Sequence, residues 1–234
     1  MLWPLALALA LVAYNTFLPL LACRFHERVY VPLNGTLALL LVVGARWGLG
    51  VSWEGLGLGG RGLLPGIGWG VAVGLALGGP AVLGAWLFPK VARLVRGFAP
   101  PDIPPTTRAL LYHLLLRIPV GTALFEEVAF RGVLYGLLLQ WGGTLWALLG
   151  SSAAFSLWHI GPILLRMQHW EVGGVWGTSL HWIGGLGGTF LGGLLLGGMR
   201  WATGSLAAPL LAHALLNTLG LLAWVLLRKP PVSS

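Results

Sequence analysis

The sequence predicts an all-α, polytopic membrane helix bundle of seven or eight transmembrane helices. Three observations carry that prediction. The chain is 57% hydrophobic and only 9% charged, a balance outside the range of soluble domains. Its apolar residues gather into runs of about 20, the length that crosses a hydrocarbon core. Tryptophan, 13 residues in all, recurs near the ends of those runs, at headgroup depth.

The elements follow in order. Apolar runs near 2–22 and 31–50 are separated by RFHERVY. SWEGLGLGGRGLLP makes an interfacial connection to a third span at about 64–88, and a proline-rich basic loop fills 89–108. The next run, about 108–140, is too long for one straight crossing, and Pro119 with Gly121 marks an expected kink or break in it. Further spans are expected at 143–165, 183–199 and 205–227, with 166–182 as a polar connection rich in tryptophan. The whole chain, 1–234, reads as one transmembrane domain. Gly184, Gly188 and Gly192, and likewise Gly193 and Gly197, are spaced by four, which lets a neighbouring helix approach closely in lipid.

The net charge of +8 does not imply nucleic acid, because the basic residues punctuate apolar runs instead of forming a stripe. Arg24, Arg28, Lys90, Arg93, Arg96, Arg108, Arg166, Arg228 and Lys229 fall on one side, against Arg61, Arg200 and nearby Arg46 on the other. The positive-inside rule then puts the N-terminus out and the C-terminus in the cytoplasm of a cell inner or plasma membrane. Cys23 is the single cysteine, so no internal disulfide forms. The segment MLWPLALALA lacks a positive n-region and reads as a retained span.

Several chemistries are excluded. GLGLGG at 55–60 has the spacing of a dinucleotide loop but no preceding strand and no following acid, so it reads as a flexible interfacial turn. There is no H-E-x-x-H and no G-x-S-x-G. Asp102 is the only aspartate, which rules out a catalytic aspartate pair.

What remains is charge inside the apolar runs, where it is costly and faces a bundle interior or an aqueous cavity. FEEVAFRG places Glu127 and Arg131 one helical turn apart, able to pair, and turns Glu126 about 100° away as the free carboxylate. FSLWH puts Phe155 and His159 on one face; HALLN does the same for His213 and Asn217. A free carboxylate, two imidazoles and an amide suit hydrolysis. Glu126 would take a proton from water that His159 holds, while His213 and Asn217 donate to the oxyanion. Alternatively Glu126, His159 and His213 form a His₂Glu zinc set. The residues leave both open, along with a non-enzymatic transporter, immunity or scaffold role.

In order, these three motifs resemble the E-E-x-x-x-R, F-x-x-x-H and H-x-x-x-N signatures of the CAAX-processing and bacteriocin-processing (CPBP) intramembrane proteases. The resemblance covers about 105–225. It implies an endopeptidase of membrane-associated peptides, prenylated tails among them. It gives Glu126 the water-activating role with His159 assisting, makes His213 and Asn217 the oxyanion site, and leaves Glu127, Arg131 and Phe155 as support. It favours a metal-free mechanism with no cofactor. The lipid bilayer and the substrate are the only partners implied; the oligomeric state is open.

Overall fold

The computed structural model describes residues 2–88, 106–167 and 174–227, and every described element is helical. Five helices are long and apolar enough to cross a membrane, and Leu2–Leu18 is a shorter apolar helix. The protein is an integral membrane protein. The elements are α1 (Leu2–Val43), α2 (Trp53–Leu56), α3 (Leu63–Leu87), α4 (Thr107–Tyr112), α5 (Phe125–Glu127), α6 (Tyr135–Trp158), α7 (Ile160–Met167), α8 (Gly174–Thr203) and α9 (Ala207–Leu226). Wide π-helical turns over His113–Leu124 and Val128–Leu134 join α4, α5 and α6 into one rod.

Two of these elements double back. Residues 20 apart on a straight helix stand about 30 Å apart. Yet the Tyr14 hydroxyl donates to Asn34 Oδ1, and Leu11 and Ala38 share one core cluster. Alpha-helix α1 is therefore a hairpin whose arms match the two runs expected from the sequence. The second reversal is at Gly143, whose φ of 78° and ψ of −172° interrupt α6. Pairs nearly equidistant from it meet: Phe130 with Phe155 at 5.3 Å between ring centroids, and Trp141 with Trp146 at 5.5 Å. The 59 residues Thr107–Leu165 would extend far beyond a bilayer if straight. The reversal at Gly143 brings FSLWH back beside FEEVAFRG.

Three sequence expectations need correction. First, of the kink or break expected at Pro119 and Gly121 there is no break: the helix continues through both, deformed into π-helical turns of the kind that mark kinks. A wide turn tolerates the missing N–H of proline, and Asn34 Nδ2 donates to Gly121 O at 2.7 Å from α1. Second, 174–182 belongs to α8 instead of a polar connection; residues 168–173 of that connection lie outside the described residues. Third, the glycine stripe that seats a neighbour is only partly the expected one. A Cβ on Gly193 would lie 3.0 Å from Ser152 and one on Gly197 3.2 Å from Leu148, but Gly184, Gly188 and Gly192 face open space.

The tightest helix pair uses another stripe. Gly66, Gly70, Gly74 and Gly78 are buried along α3 and meet Ala208, Leu211, Leu215 and Leu219 of α9. The α3 row repeats every four residues and the α9 row every three or four, so the ridges interlock and the axes close in. A Cβ at Gly70 would lie 2.7 Å from Ala208 O, and one at Gly74 would lie 2.7 Å from Leu215 Cβ. His213 and Asn217 project from the other side of α9, toward the core. Gly74→Ala is expected to cost about 1–3 kcal/mol by overpacking, read as a lower thermal midpoint in detergent, with activity falling as α9 is displaced.

The dinucleotide-like GLGLGG forms a turn that receives a side chain from α8. Gly57 and Gly60 adopt φ of 76° and 78°, and Arg200 Nη2 donates to Glu54 O at 2.7 Å and Gly55 O at 3.0 Å. A Cβ on Gly57 would meet Arg200 Nε at 2.4 Å. The glycines there admit a guanidinium of α8 and not a phosphate.

Candidate active site

The site assembles from one rod and two partners. FEEVAFRG, spanning α5 and the following π-helical turns, presents Glu126, Glu127 and Arg131 inward; they are 6%, 0% and 0% exposed. The N-terminal arm of α1, the returning half of α6 and helix α9 close around them.

Arg131 Nη1 donates to Glu127 Oε1 at 3.1 Å, as the i,i+4 spacing predicts. Its Nη2 reaches Gly193 O at 3.4 Å, and its Cζ sits 4.0 Å above the Phe155 ring. A guanidinium with no exposure thus has a carboxylate, a carbonyl and an aromatic face. Those partners offset the loss of water.

Glu127 does more than the sequence assigns it. The same Oε1 lies 2.7 Å from His213 Nδ1. A carboxylate only accepts, so Nδ1 carries the proton and donates. His213 Nε2 is thereby turned toward Glu126 Oε2, 3.8 Å away. That gap is too long for a direct hydrogen bond and short enough for both atoms to address one small molecule. Glu126 Oε2 is buried with no hydrogen-bond partner among the described residues.

His159 caps the end of α6, and its Nδ1 donates to Phe155 O at 2.8 Å, leaving Nε2 as the acceptor. The Phe155 ring stands between the two imidazoles, its centroid 4.6 Å from His159 and 6.1 Å from His213. Asn217 lies one turn beyond His213 and is half-buried. The structure therefore brings Glu126, Glu127, Arg131, Phe155 and His213 into direct contact. His159 borders them across Phe155, and Asn217 borders them along α9.

Among the described residues, no three His, Cys, Asp or Glu side chains are grouped to hold a metal ion.

One contact was missed by motif reading. Trp158 Nε1 donates to Glu126 Oε1 at 3.2 Å, with both side chains buried. The signal was present, since Trp158 precedes His159 inside FSLWH, but a tryptophan in a span reads first as packing.

Residues 108–219 match the family model described as type II CAAX prenyl endopeptidase, Rce1-like. The match spans just under half of the chain, and over that segment the chain resembles the Rce1-like endopeptidases, in line with the CPBP signatures. The matched segment begins at α4 and ends within α9, so it contains all three motifs and every charged residue of the site. The matched segment includes the helices that carry Glu126, Glu127, His159 and His213, whereas α1 and α3, which pack against them, lie outside it. No curated protein and no solved structure matches the chain. The matched family, as its description says, is one of endopeptidases.

Proposed function

We propose that this protein is a CPBP-type intramembrane endopeptidase that hydrolyses a peptide bond of a membrane-associated substrate through a glutamate-activated water. One observation carries the reading: the unpartnered Oε2 of buried Glu126 faces His213 Nε2 across 3.8 Å, on helices long enough to span a bilayer.

In this mechanism Glu126 Oε2 accepts a proton from water while His159 Nε2 holds that water. The hydroxide attacks the scissile carbonyl. His213 Nε2–H and the Asn217 amide donate to the oxyanion that forms. Charge balance supports those states. Two carboxylates, Glu126 and Glu127, face one guanidinium, Arg131, so a second proton on His213 makes the buried cluster neutral. Glu127 then acts on His213 as a fixed counter-charge. Glu126 passes its proton to the leaving amine as the tetrahedral intermediate collapses.

The reversals at the α1 hairpin and at Gly143 support seven passages, with the N-terminus outside and the C-terminus cytoplasmic. Prenylated CAAX-type tails suit such a site, because an apolar anchor stays in the leaflet while the peptide reaches the buried carboxylate.

The test is incubation of the purified chain, in detergent, with plain and prenylated peptides, read by mass spectrometry. Cleavage that survives a chelator and disappears in Glu126→Gln is the expected result. Cleavage lost to the chelator would overturn the metal-free reading. Equal cleavage by Glu126→Gln would overturn the glutamate reading altogether. His213→Ala is expected to lower kcat by about 10²–10³-fold, the scale of a lost oxyanion donor, with substrate affinity kept in a binding assay.

A further inference from the structure

We infer that Trp158 is a positioning residue for Glu126, held in place by the N-terminal hairpin α1, which lies outside the segment matched to the family. This deepens the glutamate-water reading and rests on it for its kinetic arm.

The argument begins with the backbone. In a helix the carbonyl of Trp158 would accept from the N–H four residues on. That residue is Pro162, which has none. Asn15 of α1 supplies the donor instead, its Nδ2 lying 3.0 Å from Trp158 O. The hairpin can come this close because the crossing point is Gly161, where a Cβ would lie 2.7 Å from Asn15 O.

The side chain is held as firmly. The Tyr14 ring stacks on the indole at 5.9 Å and 15°. Phe125 and Phe130 tilt against it at 5.6 Å and 5.5 Å. Tyr14 is tied in turn through its hydroxyl to Asn34, and Asn34 to Gly121 O, just before FEEVAFRG. The hairpin thus grips both the strand of helix carrying Glu126 and the residue that bonds it.

The consequence falls on one atom. The indole N–H occupies Glu126 Oε1, so Oε2 is the oxygen left to face His213. An indole is only a donor, so it bonds the carboxylate without competing for the proton that Glu126 takes. Without it the carboxylate is free to turn about its terminal torsion, which is broad and two-fold. Misplacement of a base by 1 Å costs up to about 10²-fold.

Among the described residues, His213 approaches Glu126 from α9, Glu127 and Arg131 lie on its own rod, Tyr14 of α1 packs on the indole that bonds it, and His159 lies beyond Phe155 on α6. Trp158→Phe keeps the ring stack and changes none of them.

The experiment uses the full chain in detergent, as wild type, Trp158→Phe and Glu126→Gln. Infrared titration identifies the Glu126 carboxyl as the band lost in Glu126→Gln and follows its midpoint, independently of activity. Peptide cleavage gives kcat, KM and the acidic limb of the pH–rate profile. Expected in Trp158→Phe are a displaced infrared midpoint, a displaced acidic limb and a kcat lower by about 10–100-fold, with KM held. An unmoved midpoint and limb overturn the proposal, even if kcat and thermal midpoint fall together, since that pattern marks a packing role only. If Trp158→Phe does not fold, Asn15→Ala and Tyr14→Leu replace it, and a wild-type infrared midpoint in both overturns the proposal equally. Full activity of Glu126→Gln would instead sink the glutamate mechanism, while the infrared arm still decides whether the indole holds the carboxylate.

Discussion

Replacing Glu126 with Gln is expected to lower kcat by about 10²–10⁴-fold, the range a general base contributes, while KM and thermal midpoint stay close to wild type. The substitution is nearly isosteric. A glutamine carbonyl still accepts from Trp158 Nε1, which reaches Glu126 Oε1 at 3.2 Å. What is lost is the basic lone pair at Oε2, the atom opposite His213 Nε2. No described residue hydrogen-bonds that atom, so the substitution leaves no hydrogen-bond donor stranded. A purely structural glutamate would behave in the opposite way, with stability falling and residual activity following it. Measuring kcat, KM and the thermal midpoint on one preparation separates the two.

The second large effect is on stability. Arg131→Leu is expected to cost about 3–5 kcal/mol, the usual penalty for removing one partner of a buried ion pair. Glu127 would keep only His213 as a cationic partner, and Arg131's bond to Gly193 O and its contact with Phe155 would vanish. A double variant, Arg131→Leu with Glu127→Leu, is expected to regain much of that loss because no buried charge is stranded. It should not regain activity, since His213 would have no anion to orient it. Thermal midpoints of the four chains, wild type and three variants, form the cycle. Additive losses in the double variant would show that the two residues do not act as a pair.

How much of this was legible in the sequence depended on whether a feature was local. The Glu127–Arg131 pair follows from helical spacing alone. So do the shared faces of Phe155 with His159 and of His213 with Asn217. The ends of the runs near 140 and 143 fell at the Gly143 reversal, because a span must stop after about 20 residues. Features that join distant segments were not legible. The bond from Glu127 to His213 crosses 86 positions, and nothing in either motif specifies it. Trp158 was hidden by its own hydrophobicity. The α1 polar residues Tyr14, Asn15 and Asn34 have no motif; each is explained only by the carbonyl or ring it meets. Glycine spacing was informative but ambiguous. Gly66–Gly70–Gly74–Gly78 seats α9, and Gly184–Gly188–Gly192 seats nothing described, although both have the same period. A stripe of small residues states that a helix can approach closely without stating which helix does.

The placement of Arg131 and Glu127 on a single helix also bears on how this protein enters its membrane. Charged residues arriving singly at the bilayer centre cost roughly 2.5–3.5 kcal/mol each on insertion scales. A pair one turn apart neutralises itself as soon as that turn is helical, before any neighbouring span has been made. The ribosome delivers FEEVAFRG some 80 residues before His213, so the segment is presented to the insertion machinery with one carboxylate already matched and only Glu126 exposed to the cost. Chain order therefore lets the paired charges be installed early, and leaves Glu126, whose Oε2 faces His213, as the carboxylate that waits for α9.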